Sequence, residues 1–279
     1  MNNSIPRSSI FSIIARFPLI SFFGMAFLFS WIAIIPLILN PSLPIEPFQI
    51  LGAFAGPTLS AIIMIAALEG RGGLATFFKR YIQWRAGIGW WLLVLFGLLI
   101  ALTLVATIIV GPSVMREFIS NLGLILPTYL IALIVGMILG PLWEEPGWRG
   151  FALPRLQAKY GAFIGTVILG VMWALWHAPG YLGGWMTSAY LALLLDCIGF
   201  SILATWVFNN TRGSLLLMIL LHSSSNAAIS LGVKVLPANL TPAMHDFVYS
   251  GWIPAIMAGI IAILVLIITK GRLSYMKSE

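Results

Sequence analysis

Charge is scarce in this sequence. Asp, Glu, Lys and Arg make up 8% of the 279 residues, eight acids against fifteen bases, where a soluble domain carries about 25%. So few charges cannot cover the surface of a water-soluble protein of this size. That excludes a soluble globular enzyme and a disordered chain alike. Cysteine is nearly missing: Cys197 stands alone, which excludes an internal disulfide, a secreted disulfide scaffold and a cysteine-based zinc cluster. The alternating pattern of a transmembrane β-barrel is also lacking, because the apolar runs are continuous. What the chain has in quantity is hydrophobic residues, 60% of the total, with a mean hydropathy of +1.02. It reads as an all-α, polytopic membrane protein.

A bilayer core of about 30 Å needs about 20 apolar residues in a helix. Eight such runs fit, over 17–39, 48–68, 88–111, 122–143, 160–180, 186–208, 213–232 and 250–269, separated by Gly, Pro and polar breaks. The basic residues orient this bundle. With the N-terminus in the cytoplasm, thirteen of the fifteen Lys and Arg fall in cytoplasmic segments, Arg7 and Lys277 among them. Only Arg116 and Lys234 fall outside. Such a bias predicts both termini inside. It also accounts for the net charge of +7 as attraction to an anionic leaflet, so the lipid bilayer is an expected partner and nucleic acid is not. The first run is too long for a signal-peptide core and lacks a small-x-small site after it, so it reads as a retained anchor. Residues 70–87 read as a basic, Trp-bearing segment lying at the interface. The chain divides into a membrane-anchoring region over 1–121, a core over 122–232, and an outer loop, last span and tail over 233–279.

Ionisable groups are costly near lipid, about 2.5–3.5 kcal/mol each at a helix centre, and so mark candidate sites. Three clusters stand out. Glu144-Glu145-Pro-Gly-Trp-Arg149 sets two carboxylates side by side at the end of the fourth run. Their mutual repulsion suits one of them to accept a proton near neutral pH. Arg149, four residues after Glu145, faces it on a helix and can hold it ionised, leaving the other acid free. Pro146 predicts a kink or a fresh helix start after Glu145. Trp173 and His177 are also four apart, so the indole can wall the imidazole from lipid. His222-Ser-Ser-Ser-Asn226 places an imidazole and an amide on one stripe of the seventh run, with three serines that serve equally well as interhelical glue. Together these groups supply what hydrolysis needs: a carboxylate to take a proton from water, a histidine to assist, and donors for an oxyanion. For that they must meet in one wet cavity, expected to open to the cytoplasm. His222 lies about ten residues into its run from the cytoplasmic end, or ~15 Å deep.

The three patterns, Glu-Glu-x-x-x-Arg, aromatic-x-x-x-His and His-x-x-x-Asn, in this order and over residues 130–232, resemble the signature of the CPBP family. Its members are type II CAAX prenyl endopeptidases and bacterial bacteriocin-processing or self-immunity proteins, also called Abi proteins. The family usually has Phe where this chain has Trp173. The resemblance implies an eight-helix intramembrane endopeptidase of a bacterial cell membrane, acting on a peptide or membrane-protein substrate. It implies that Glu144 activates water with His177, that His222 and Asn226 form an oxyanion hole, and that Glu145, Arg149 and Trp173 support the site. Part of the family is treated as metalloproteases, so zinc on His and Glu ligands stands as an option. No His-Glu-x-x-His occurs, Asn226 is a poor ligand, and metal-free glutamate catalysis is the preferred expectation, with no cofactor or metal ligand assigned.

Asp196 is a further intramembrane acid, either facing the same cavity or neutralised by protonation. His245 and Asp246 read as solvated loop residues. Ser223, Ser224 and Ser225 lack the Gly-x-Ser-x-Gly elbow of a serine nucleophile. Outside enzymology, a membrane immunity or binding protein, a small proton-coupled transporter and haem ligation by His177 and His222 are the alternatives. The transporter would use Glu144 and His222 as a proton relay, but the inverted repeats with broken helices common in transporters are not found, and haem leaves the double Glu unexplained.

Overall fold

The computed structural model describes residues 14–232, 234, 236–237 and 239–276. The expected cytoplasmic placement of Arg7 and Lys277 therefore lies outside the described residues. Eight helices are long and apolar enough to cross a bilayer. We number all helices in chain order: α1 Pro18–Leu39, α2 Ile45–Ile82, α3 Ile88–Val110, α5 Leu122–Leu139, α7 Ala162–Leu182, α8 Tyr190–Asn210, α9 Leu215–Gly232 and α11 Trp252–Thr269 are the spanning ones. Two short helices cap loops, α4 Ser113–Ser120 and α10 Pro242–Tyr249. The remaining element, α6, covers residues 141–160. No strand occurs among the described residues.

The expected spans match these helices, and each departure has a local cause. The helix α2 runs on past its apolar stretch because a second, surface-lying piece follows the first. Gly70 breaks the two apart at φ 64, ψ −155, a conformation open essentially to glycine alone. The basic segment after Gly70 thus turns away from the span, as its Trp and Arg content predicts. The loop expected over 144–159 is instead helical, and every residue of Pro146–Ala152 is buried. Its polar residues suggest a loop, yet they find partners inside the protein. Nor does Pro146 break the helix. Glu145 keeps α geometry at φ −58, ψ −34, and Pro146–Ala152 widens into a π-type turn, which absorbs the proline by changing the hydrogen-bond register.

Small residues let the helices close in. A Cβ on Gly199 would stand 2.7 Å from the backbone of Ala258, one on Gly170 would stand 2.7 Å from Ile198 Cα, and one on Gly165 would stand 2.7 Å from the Leu156 backbone. Such close approach is how helices associate where lipid removes the usual hydrophobic driving force. Polar bonds add to it. Thr166 donates to Thr205 across α7 and α8 at 2.9 Å, and the Tyr129 and Ser224 hydroxyls pair across α5 and α9 at 2.6 Å. Ser223 bonds back to the Ile219 carbonyl at 2.7 Å. Two of the three serines thus have structural partners.

A pair of turns positions the site. Phe54–Thr58 within α2 is also a π-type turn, and it meets the one in α6. A Cβ on Gly147 would fall 2.4 Å from Pro57 Cβ and 2.6 Å from its carbonyl carbon. Thr58 donates its hydroxyl to the Trp143 carbonyl. The result fixes the residue pair 144–145 at mid-height of α2. On the basic side, Arg155 pairs with Glu69, and Arg80 donates to the carbonyls of Gly213 at 2.8 Å and Gly150 at 3.0 Å.

Candidate active site

Glu144 and Glu145 are adjacent in sequence but enter different environments. Glu145 is fully enclosed. Its Oε1 accepts from Arg149 Nη1 at 2.8 Å, one helical turn on, and from His222 Nδ1 at 2.8 Å, from another helix. Arg149, also 0% exposed, donates from Nη2 to Ser201 at 3.0 Å and lies 4.7 Å over the Trp173 ring and 5.3 Å over that of Phe200. An ion pair without such partners would be costly to bury. Glu144 is 7% exposed and faces a cavity. Its Oε2 accepts from Trp173 Nε1 at 2.9 Å. Gly140 makes room for the other oxygen, since a Cβ there would stand 2.8 Å from Glu144 Oε1.

Trp173 is the hub of the site. Its ring packs edge-on to His177 at 5.7 Å and to His222 at 5.0 Å between centroids. The helix α7 runs unbroken to Trp176, His177 forms its cap, and a new turn begins at Ala178 with Pro179 behind it. Pro179 has no N–H with which to continue the ladder, so His177 is held at the break. Its Nδ1 donates to the Trp173 carbonyl at 2.8 Å, because a carbonyl oxygen can only accept. In the neutral ring that leaves Nε2 with its lone pair. The same logic leaves Nε2 of His222 as its open position, Nδ1 being engaged with Glu145.

A cavity of about 470 Å³ is lined by Glu144, Trp173, His177, Asp196, His222 and Asn226, among others. The residues singled out in three separate stretches of sequence thus line one chamber, with Glu145 and Arg149 packed behind it. Ser30 and Gln49, from the first two spans, also line it. His245 and Asp246 stand apart, exposed on α10. Ser201, Phe200, Gly140 and Ser30 escaped the sequence reading. None is charged, and Ser30, besides lining the cavity, accepts from Trp176 Nε1 at 2.7 Å.

The lining residues are not spread evenly along the spans. On α1, α2, α7, α8 and α9 the cavity residues occupy the half remote from those loops: Ile34, Gln49, Gly180, Leu193 and Ser230 mark it. On the fourth span they are Gly136, Leu139 and Gly140. From Gly140 the helical path to Arg155 is fifteen residues, or ~22 Å. The chamber lies well inside the bundle, as convergence requires.

Zinc was an option raised by the sequence. Among the described residues no three His, Cys, Asp or Glu side chains converge to hold a metal ion.

Fold and cavity define a polytopic membrane protein with carboxylate and imidazole groups enclosed among its helices. Residues 125–228 match the family described as type II CAAX prenyl endopeptidase Rce1-like. The chain is also 27% identical over 135 residues to CAAX prenyl protease 2 of Methanococcus maripaludis, covering 44% of this chain and 48% of the relative. The chain thus aligns to about half the length of that curated relative. The family match spans all three clusters, and over that region the chain is similar to CAAX-type proteases.

Proposed function

We propose that the protein is an intramembrane endopeptidase in which Glu144 activates water, and the observation that carries this is the division of labour between the paired acids. Glu145 is ion-paired with Arg149 and accepts a hydrogen bond from His222, whereas Glu144 faces the cavity and is held by a single neutral donor. A carboxylate so placed takes a proton from water on the oxygen that Gly140 leaves open. The hydroxide adds to the peptide carbonyl. The oxyanion is met by the Asn226 amide and by Nε2 of His222, which donates when the ring carries both protons, with Glu145 as counter-ion. His177 Nε2 accepts a hydrogen bond from the water and then relays the proton held by Glu144 to the leaving nitrogen as the C–N bond breaks, which returns Glu144 to its carboxylate. The products are a carboxylate and an amine. A cleavage assay with purified protein in detergent tests this: full activity in Glu144→Gln would overturn it.

In this reading the basic loops face the cytoplasm and the chamber opens toward the opposite leaflet, so the substrate segment enters from the exocytoplasmic half. The prenylated cytoplasmic tails named by the family are then not its substrates. Peptide leaders or membrane-protein segments crossing to the outside are. Cysteine labelling of intact cells with an impermeant maleimide decides the side. Ser42→Cys labels directly, and Arg85→Cys labels only after permeabilisation. The reverse pattern would place the chamber on the cytoplasmic side.

A further inference from the structure

Asp196 has no partner. It stands on α8 in the cavity wall, makes no hydrogen bond or ion pair among the described residues, and has Oδ1 enclosed. The other interior acids differ. Glu145 has Arg149 and His222, and Glu144 has the Trp173 indole. Leu193 and Cys197 flank it on the same helix in the cavity wall, and no Lys or Arg is among the residues lining the cavity. A carboxylate retained for structure alone is normally paired inside the protein, because an isolated one is costly in an apolar setting. Asp196 is also close to the proposed chemistry. Phe200, one turn further along the same helix, packs against His222 at 5.5 Å and Trp173 at 5.6 Å.

We infer that Asp196 is a recognition site for a cationic group of the entering peptide, a Lys or Arg side chain or a free α-amine, about one helical turn from the scissile bond. The chamber then sorts segments in two ways. Its apolar wall takes hydrocarbon side chains, and its one unanswered carboxylate asks for a single positive charge among them. A charge-assisted contact in a water-poor site discriminates by about tenfold or more.

This inference rests on the peptidase reading, so the test reads binding rather than turnover. The full chain carrying Glu144→Gln, purified in a neutral detergent, is titrated calorimetrically with acetyl-Leu-Lys-Leu-Leu-amide and with the same peptide carrying norleucine for Lys. The Lys peptide binds at least about tenfold tighter. Adding Asp196→Asn, or separately Asp196→Leu, brings the two peptides within about twofold of each other. Both variants remove a buried charge and are expected to fold. Equal affinities before Asp196 is changed, a Lys preference that survives both substitutions, or binding of neither peptide overturns the inference. Residual cleavage by Glu144→Gln would instead count against the catalytic reading.

Discussion

The Trp173 indole donates to the Glu144 carboxylate at 2.9 Å, from a helix that begins well after the acid in sequence. The same ring stacks on Arg149 and meets both cavity imidazoles. One side chain therefore touches Glu144, Arg149, His177 and His222, and its N–H is the only hydrogen bond to the Glu144 side chain among the described residues.

Trp173→Phe keeps the aromatic packing and deletes that donor. Cleavage is expected to fall about 10- to 100-fold, mostly in kcat, the range for one hydrogen bond to a charged group. Steady-state kinetics check this, and an unchanged kcat would remove the indole from the positioning of Glu144.

Glu144→Gln and His177→Ala are each expected to abolish cleavage while leaving the protein folded. The checks are an in-vitro cleavage assay and size-exclusion chromatography in detergent. Both side chains border the cavity, so their loss opens no unpaired charge in the packed interior.

Asn226→Ala is expected to slow cleavage by about 10²- to 10³-fold, the usual consequence of losing one oxyanion donor. Single-turnover measurements separate this from weaker binding. The amide lies on the cavity wall and has no side-chain partner among the described residues, so stability should stay close to that of the parent.

Arg149→Met acts in the opposite way. It leaves Glu145 buried against a single imidazole, and breaking a buried pair costs about 3–5 kcal/mol. Thermal unfolding in detergent should show a large drop. Adding Glu145→Gln should restore part of it, because the uncompensated charge goes too.

Gly140→Ala tests the room left for the reacting oxygen. The new methyl would sit 2.8 Å from Glu144 Oε1, while Trp173 holds the other oxygen in place. The carboxylate must turn or the indole bond must break. Cleavage is expected to fall at least about tenfold with little change in unfolding temperature.

Much of this was legible in the residues. Eight spans read directly as uninterrupted apolar runs, because lipid allows few charges and few breaks. The four-residue spacings of Glu145 to Arg149 and Trp173 to His177 predict one-turn contacts, and the structure contains both. The segment after Gly140 misled for the opposite reason. Its acids, bases and prolines look like a water-exposed connection, and only tertiary partners such as Ser201 and His222 let it sit inside. Depth was hidden as well. Nothing in the order of the motifs says which half of each helix will face the chamber, since that depends on tilt and on where α6 turns. Ser30, Gly140 and Phe200 gave no signal, because small and apolar residues are the background of a membrane chain.

The contact of Gly147 with Pro57 joins two widened turns main chain to main chain, with no rotatable side group between them. Flexible side chains cushion displacement, but peptide planes in hard contact transmit it. A displacement of the second span at Pro57 is therefore carried to the turn that directly follows the acid pair with little slack between them.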